Sequence, residues 1–496
     1  MAGRFLRLFK PVARIIPEVK GPERRVRFNE KLFWTAVILI VFLIMSEVPL
    51  YLHGVSQTQN PLGNLAALRV IFASSRGTLM ELGIGPIVTA GLILQLLVGS
   101  AMIECDMGNP EDRGLFTTAS KVFAILLTGV QATAYIIGGM YGDLAGTTAL
   151  IVFLQLIASG IVVMLLDELV QKGWGFGSGI SLFIMAGVAQ QIFWQSFSFA
   201  PGIDERRSFG LFVALAQVLG ANQPLSFMFV RNNLVTSATN EVSPLNFNPQ
   251  NPSILGFMAT IVAFLIIIYM EGVRVELPLS YAGYKGFRSR YPIKLLYVSN
   301  LPVIFASALF ANVYFFSQLF WNFYNKNNSN FWLNLLGTYK LTGSGNNASY
   351  EPIGGLVYYV TSPKHWPNVL QDPVRALGYL GILMAFCVVF SLTWLEVGGL
   401  GPSTVAKQLV DSGMQVPGYR RSGKAIESIL NRYIPAVTVL GGIVVALIAG
   451  ISDFFGVFGS GMGILLSVGI IYQYYEVLMQ ERAAELYPAF RKVFGE

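Results

Sequence analysis

Residues 145–166 read AGTTALIVFLQLIASGIVVMLL, a run of 22 positions without a charged side chain. A helix needs about 20 predominantly apolar residues to cross the hydrocarbon of a bilayer, so this run is long enough to span it. Glu47 and Glu81 are the charged residues in the nine similar runs, which lie at 33–53, 80–99, 122–142, 175–198, 253–270, 295–318, 376–395, 433–452 and 457–475. The sequence therefore predicts an all-α polytopic membrane protein with about ten transmembrane helices.

The composition argues against a soluble enzyme. Charged residues make up 12% of the chain and apolar residues 54%, whereas soluble domains carry about 25% charged residues. Two cysteines (Cys105, Cys387) and two histidines (His53, His365) provide neither a disulfide framework nor metal-ligand spacing. The sequence also lacks a GxxxxGK[ST] phosphate loop and a Ser/His/Asp or Cys/His catalytic set. We therefore expect no cofactor, no bound metal and no enzymatic activity.

The distribution of Lys and Arg indicates the orientation of the chain. With the N-terminus in the cytoplasm and alternating spans, 25 of the 34 basic residues fall on the cytoplasmic side, as the positive-inside rule requires. Residues 1–32 then form a basic cytoplasmic segment, and 476–496 form a cytoplasmic tail. The apolar run 33–53 is too long for the core of a cleaved signal peptide, so we interpret it as a retained first span.

The ten spans divide into two five-helix halves, 33–198 and 253–475, joined by an external loop at 199–252. An odd number of spans in each half inverts the second half relative to the first, an arrangement common in transport proteins. Ion- or solute-coupled secondary transporters need ionisable groups near the membrane midplane. Because this chain nearly lacks such groups, a secondary transporter is the less favoured alternative.

Uncharged polar side chains do occur inside the spans, at Thr89, Gln95, Gln131, Gln155 and Asn312. One such residue in a helix usually stabilises helix packing. Several of them along one interface would instead form a seam that can separate, and the sequence alone leaves both interpretations open.

Three segments between spans carry further information. The basic loops 271–294 and 396–432 either anchor the topology or dock on a polyanion such as anionic lipid or RNA.

The stretch near 59–75 is too short and interrupted to span, and we interpret it as a re-entrant or surface helix. Asn327 and Asn347 stand in external glycosylation sequons whose use the pattern leaves open.

Four long motifs carry a family resemblance. They are RGTLMELGIGPIVTAGLILQLLVGS (76–100), GFGSGISLFI (175–184), YPIKLLYVSNLPVIFASALFAN (291–312) and GSGMGILLSVGIIYQYYE (459–476). These motifs resemble the SecY / ER-translocon alpha subunit family of protein-conducting channels, and the similarity runs along nearly the whole chain. The sequences LGIGPIVTAG and AAELYPAFRKVFGE, the latter at the C-terminal tail, are most similar to archaeal-type SecY.

The resemblance implies roles for particular residues. Six aliphatic side chains would form a constriction ring that excludes ions and yields to a passing chain: Ile84, Val88, Ile180, Ile184, Ile304 and Leu466. A lateral gate between the second and third spans and the seventh and eighth would include Thr89, Gln131 and Asn312. Segment 59–75 corresponds to the plug, with Asn60, Leu65, Leu68, Arg69 and Ile71. The two basic loops correspond to ribosome-docking loops, with Arg274, Lys285, Arg288, Arg420 and Arg421.

The resemblance also implies a function and partners. The chain would be the pore-forming subunit of the Sec translocon, which conducts unfolded or nascent polypeptides and releases transmembrane segments laterally into the bilayer. Its implied partners are the small SecE (gamma) and beta subunits, the ribosome, signal sequences, the signal-recognition-particle receptor pathway and membrane lipid. We expect a multi-pass protein of the cell (plasma) membrane with both termini cytoplasmic; the endoplasmic reticulum membrane is the alternative.

Overall fold

The computed structural model of the chain describes residues 9–11, 17–24, 26–51, 73–75, 77–99, 102–103, 105, 110–138, 141, 144, 146–200, 208–221, 226–229, 251–281, 288–296, 301–325, 328–342, 349–364, 366–411, 414–415 and 423–486. The predicted plug residues Asn60, Leu65, Leu68, Arg69 and Ile71 lie outside this part of the chain. So do Lys285, Arg420 and Arg421 of the basic loops.

The described residues form the following elements in chain order: α1 (Phe28–Glu47), α2 (Gly85–Gly99), α3 (Pro110–Ile137), α4 (Gly146–Leu169, continued by a π-helical turn at Val170–Trp174), α5 (Gly179–Phe197), α6 (Leu211–Gly220), α7 (Ser226–Phe229), α8 (Ile254–Gly272), β1 (Arg274–Tyr281), β2 (Arg288–Lys294), α9 (Leu301–Tyr324), α10 (Phe331–Leu336), β3 (Thr338–Thr342), β4 (Ser349–Gly354), α11 (Leu356–Val360), α12 (Trp366–Gln371), α13 (Pro373–Val397), α14 (Pro402–Asp411), β5 (Met414–Gln415), α15 (Gly423–Phe454) and α16 (Gly461–Leu486).

The predicted polytopic helical fold is confirmed. Nine helices of the described part are long and apolar enough to cross a membrane: α1, α3, α4, α5, α8, α9, α13, α15 and α16. The remaining predicted span is α2, which is apolar but only 15 residues long. Most residues of each of the ten predicted apolar runs are therefore in one of these ten helices.

Helix α2 begins five residues later than its apolar run suggests, because a tight turn precedes it. The carboxylate of Glu81 accepts a hydrogen bond from the Gly77 backbone N–H, and Ser74 Oγ donates to the Glu81 carbonyl oxygen. Glu81 is only 2% exposed. The carboxyl group at the start of this predicted span is thus a buried hydrogen-bond acceptor that closes the turn.

The seventh span is also displaced from its predicted position, from 295–318 to Leu301–Tyr324. The chain before it is extended: Arg274–Ser280 pair in antiparallel register with Arg288–Lys294, and the Leu295 N–H donates to the Val273 carbonyl oxygen over 2.8 Å, so this pairing continues into the predicted span. The basic loop 271–294 is therefore a β-hairpin. Its first strand also pairs with β5 from the other basic loop, with Ser280 opposite Gln415. The two basic loops form one three-stranded sheet in the order β2-β1-β5.

A short helix ties this sheet to the bundle. Helix α14 buries Val405, Ala406 and Leu409 against Ile426 and Leu430 at the start of α15, in a cluster that also contains Ile293 of β2. Helix α15 therefore begins ten residues before the predicted span 433–452, and its first turns pack on α14 through Ile426 and Leu430.

The main core lies between the helices of both halves. Helix α13 packs on α15, α3 packs on α2 and α4, and α16 packs on both α5 and α8. Within this core the rings of Phe42 (α1) and Phe183 (α5) are stacked with centroids 4.8 Å apart. One cluster of buried apolar residues contains members of α1, α2, α5, α9, α13, α15 and α16.

An ion-pair network fixes the N-terminal segment beside the first half. Lys121 Nζ lies 2.6 Å from Glu168 Oε1, and both side chains are largely buried. Lys172 lies 3.8 Å from the same carboxylate and 2.6 Å from Glu18 Oε1. The hydrogen bond from Lys172 lowers the pKa of Glu18 below its usual range. Basic and acidic residues of this cluster therefore connect α3, α4 and the segment that precedes α1.

Candidate functional site

The six aliphatic residues predicted to form a ring lie in or beside the central core cluster. Ile84, Val88, Ile184, Ile304 and Leu466 are buried members of that cluster, and the partly buried Ile180 packs against it. Ile84 and Val88 lie four positions apart at the start of α2, as do Ile180 and Ile184 on α5, so each pair shares one helix face. The structure thus brings side chains from α2, α5, α9 and α16 into one apolar cluster.

A four-residue repeat precedes the two helices that carry Ile184 and Leu466. Residues 176–179 and 458–461 both read FGSG, and the two aliphatic residues lie at the same distance from them. Gly177 has φ +67° and Gly459 has φ +74°, a left-handed backbone that favours glycine. Each turn redirects the chain into a central helix, one in each half.

A buried aspartate orients each of these helix starts. Asp167 at the end of α4 accepts a hydrogen bond from the Ile180 backbone N–H (3.0 Å). Asp453 at the end of α15 accepts one from the Gly461 N–H (2.6 Å). Both aspartates are under 10% exposed, and both satisfy N–H groups that the first turn of a helix leaves unpaired. The first residues of α5 and α16 are therefore held by the helix that precedes each one.

The two turns also contact the opposite half in a reciprocal way. A Cβ atom on Gly177 would lie 3.0 Å from Cζ of Tyr474 on α16, and one on Gly459 would lie 3.3 Å from Cγ1 of Val188 on α5. The Tyr474 hydroxyl lies 2.9 Å from the Phe176 carbonyl oxygen, to which it donates. These contacts relate α5 and α16 as an inverted pair. The FGSG repeat is the sequence signal from which this pairing could have been found.

Two of the three polar gate residues meet across the interface between the halves. Asn312 Nδ2 on α9 donates to Thr89 Oγ1 on α2 over 3.3 Å. Gln131 lies half-buried on α3 and takes no part in that bond. Helix α2 packs against both α9 and α13. The seam between α2 and α9 therefore contains one long, weak hydrogen bond among apolar neighbours.

The other polar residues inside spans have separate surroundings. Gln155 Oε1 accepts a hydrogen bond from the Tyr51 N–H over 3.0 Å, which connects α4 to the end of α1. Gln95 Oε1 is buried on α2 and has no hydrogen-bond partner among the described residues. These five polar positions therefore do not form one continuous seam.

Contacts at the other end of the seam join α3 to α9. The rings of Tyr135 and Phe315 lie 4.9 Å apart, and Asn322 Nδ2 donates to the Gly138 carbonyl oxygen over 2.8 Å. In this structure α9 is thus in contact with both α2 and α3, and the interface between the halves is closed by packing.

The segment after the predicted plug is fixed to the end of α1. The Leu50 N–H donates to the Gly77 carbonyl oxygen (2.8 Å), and the Leu79 N–H donates to the Val48 carbonyl oxygen (3.0 Å). Of the predicted docking residues, Arg274 is exposed at the start of β1, and Arg288 begins β2. Among the described residues, no three His, Cys, Asp or Glu side chains are close enough together to hold a metal ion.

Comparisons with known proteins agree with this architecture. The SecY family matches residues 78–475, and the plug domain of Sec61p matches residues 40–77. A solved structure described as "The structure of a protein conducting channel" is 35% identical, with a TM-score of 0.78 over 97% of this chain and 98% of that one.

Two further solved structures come from eukaryotes. Canine Sec61, from a ribosome-channel complex of the endoplasmic reticulum, is 35% identical with a TM-score of 0.75 over 97% of this chain and 98% of that one. The yeast Ssh1 complex bound to the yeast 80S ribosome contains a chain that is 26% identical, with a TM-score of 0.73 over 95% of this chain and 93% of that one. With the family match covering most of its length, the chain belongs to the SecY family of protein-conducting channels.

Proposed function

We propose that this channel conducts unfolded polypeptide through a pore lined at its narrowest point by Ile84, Val88, Ile180, Ile184, Ile304 and Leu466. The observation that carries the proposal is the position of these six residues in or beside one central cluster built from both halves. Bulky aliphatic side chains at a constriction exclude water and ions, yet their contacts are non-directional and can yield to a chain. Residues 59–75 would form the plug beyond this constriction.

We further propose that apolar segments leave the channel sideways between α2 and α3 on one side and α9 and α13 on the other. The hydrogen bond between Asn312 and Thr89 supports this assignment, because one such bond in a membrane contributes only about 0.6 kcal/mol. A signal sequence can therefore compete for the seam at small cost. Gln131 on α3 would line the same opening.

Replacing Asn312 with leucine is expected to favour the closed gate. Closing the seam would shield the new side chain from water in the pore, which contributes up to about 2 kcal/mol, while the lost hydrogen bond costs about 0.6 kcal/mol. We expect insertion of a weakly hydrophobic signal sequence to fall by up to about tenfold, which corresponds to the net difference of about 1.4 kcal/mol. Photocrosslinking of stalled nascent chains to α9 measures this step.

The matched control for this gate variant is Thr89→Val, which removes the same hydrogen bond without adding a larger side chain. Because it loses about 0.6 kcal/mol from the closed seam, it should raise insertion by no more than about threefold. Equal or better insertion of the weak signal sequence in the Asn312→Leu protein would contradict the gate assignment.

We propose that the ribosome docks on the three-stranded sheet formed by the two basic loops. The canine relative belongs to a ribosome-channel complex, and the sheet carries Arg274 and Arg288 here. Lys285, Arg420 and Arg421 would add to the same basic surface. A translating ribosome would supply the driving force, and the small SecE (gamma) and beta subunits would complete the complex. We propose the cell membrane as its location, with both termini cytoplasmic; the endoplasmic reticulum is the alternative.

Reconstituted vesicles test the function directly. With translating ribosomes as the driving force, the purified complex in sealed vesicles should let a signal-bearing polypeptide reach the lumen, where it becomes resistant to added protease. The same chain without its signal sequence is the control and should remain sensitive. Gradient-driven uptake of a small solute, without passage of polypeptide, would instead support a secondary transporter and overturn the proposal.

A further inference from the structure

A short helix at the end of α9 exposes large apolar side chains. Helix α10 reads FWLNLL, and Phe331, Trp332 and Leu335 are 70%, 77% and 55% exposed. No charged residue occurs in the described stretch 328–339. An exposed patch of this kind indicates a contact surface for something apolar.

Hydrogen bonds from asparagines hold α10 in this orientation. The Asn330 side chain accepts from the Trp332 N–H, which caps the helix. Asn325 Nδ2 donates to Asn334 Oδ1 over 2.8 Å, and Asn334 Nδ2 donates to the Asn328 carbonyl oxygen over 2.9 Å. The polar side chains of the segment are therefore used internally, which leaves the apolar side chains facing outward.

Close packing beneath α10 fixes it to the spanning helix. A Cβ atom on Gly337 would lie only 2.4 Å from Ser317 Oγ on α9, so a larger residue there would require Ser317 to move. Trp321 on α9 donates to Asn328 Oδ1 over 2.7 Å. Because these contacts anchor both ends of the segment, the exposed side chains of α10 keep their position relative to α9.

The length of α9 indicates where α10 lies in the membrane. Its 24 residues extend about 36 Å at 1.5 Å per residue, whereas the hydrocarbon layer is about 30 Å thick. The end of α9 at Tyr324 therefore reaches the headgroup region, and α10 begins seven residues later. Exposed aromatic residues continue along α9 up to that end, at Phe316, Phe320, Phe323 and Tyr324.

We infer that α10 is an interfacial anchor that inserts Phe331, Trp332 and Leu335 into the lipid headgroup region where α9 ends. Tryptophan and tyrosine concentrate at this level because their rings combine an apolar body with a polar group. An uncharged surface gives no complementarity to a charged partner, whereas it matches the boundary between headgroups and acyl chains. The helix that forms one side of the proposed gate would thus be attached to one leaflet.

Spin labels on the whole complex in phospholipid vesicles test this inference. Single cysteines are introduced as Trp332→Cys and as Leu335→Cys, after Cys105→Ser and Cys387→Ala remove the native thiols. Lys340→Cys is the control, since Lys340 is exposed on β3 nearby. Collisions with oxygen, which concentrates in lipid, should exceed those with a water-soluble nickel chelate at positions 332 and 335. At position 340 collisions with the nickel chelate should instead exceed those with oxygen. The ratio of the two collision rates should differ several-fold between position 340 and the two α10 positions.

Two results would overturn the inference. If the labels at both α10 positions collided with the nickel chelate as often as the label at position 340, the helix would lie in water. Low access to both reagents would mean that a protein, either a partner subunit or a second copy of the chain, covers the surface. Because α10 is not part of the proposed pore or gate, failure here leaves the proposed function unaffected.

Discussion

The double replacement of Ile184 and Leu466 with serine should raise the resting ion conductance of the channel by about tenfold or more. Both residues are fully buried in the central cluster, one in each half. Hydroxyl groups there would stabilise water in the constriction, and each 1.4 kcal/mol removed from the permeation barrier increases the rate about tenfold. Conductance of the purified complex in planar bilayers, without substrate, measures the effect.

Val468→Ser is the matched control for this experiment. Val468 lies two positions after Leu466 on the same helix, is 3% exposed, and points to a different face because successive helix residues turn by about 100°. It reproduces the loss of core packing without changing the proposed constriction. If the double variant conducted no better than the control, Ile184 and Leu466 would have no part in the seal.

Reversing the charge of Arg288, Arg420 and Arg421 to glutamate should weaken ribosome binding roughly 10- to 100-fold at physiological salt. Contacts to RNA phosphates release counterions, so each lost contact should lower the slope of log affinity against log salt by about one. Cosedimentation with ribosomes across a salt series measures both quantities.

Lys340→Glu provides a control for charge reversal at a single site outside the basic loops, because Lys340 lies on the β3–β4 hairpin, far in sequence from both of them. The affinity of the Lys340→Glu protein for ribosomes, and the slope of log affinity against log salt, should match those of the unaltered protein. Ribosome binding that did not respond to salt or to the triple reversal would remove the sheet from the docking surface.

The proposed seal would depend on residues that hold the aliphatic side chains in place as well as on those side chains. Asp167 and Asp453 bond to the first turns of α5 and α16, and the two FGSG turns contact the opposite half. Ile184 and Leu466 follow these turns at equal distances. The axial positions of both aliphatic residues are thus determined by the same local structure in each half.

The sequence was sufficient for the features that depend on local composition. Ten apolar runs, nearly free of charge, predicted the ten helices, because the cost of burying charge in hydrocarbon acts on each run separately. The apolar runs misplaced the starts of several helices, among them α2, α3, α9 and α15, because hydropathy does not record tertiary hydrogen bonds or packing. Hydropathy could not show that Glu81 is satisfied by Gly77, or that residues 288–294 pair with β1.

The residues of the candidate site could not be predicted from local sequence pattern alone. Single aliphatic residues such as Ile304 and Leu466 look like any lipid-facing residue, so family resemblance alone selected them. The pairing of the two basic loops through Ser280 and Gln415 joins segments more than a hundred residues apart. No local sequence signal specifies such a contact, since backbone hydrogen bonds between strands are made by any residue except proline.

The amino-acid sequence by itself thus determined that this protein spans the membrane about ten times, with its basic loops on one side, because hydrocarbon thickness and charge cost act on contiguous residues. Only the tertiary structure decided which side chains meet. It brought Asn312 to Thr89, Asp453 to Gly461, and Phe331 and Trp332 to the surface beside the end of α9. The first of these contacts joins segments far apart in sequence, and all of them depend on how the helices pack, because shape and hydrogen-bond satisfaction select one arrangement among many that composition allows.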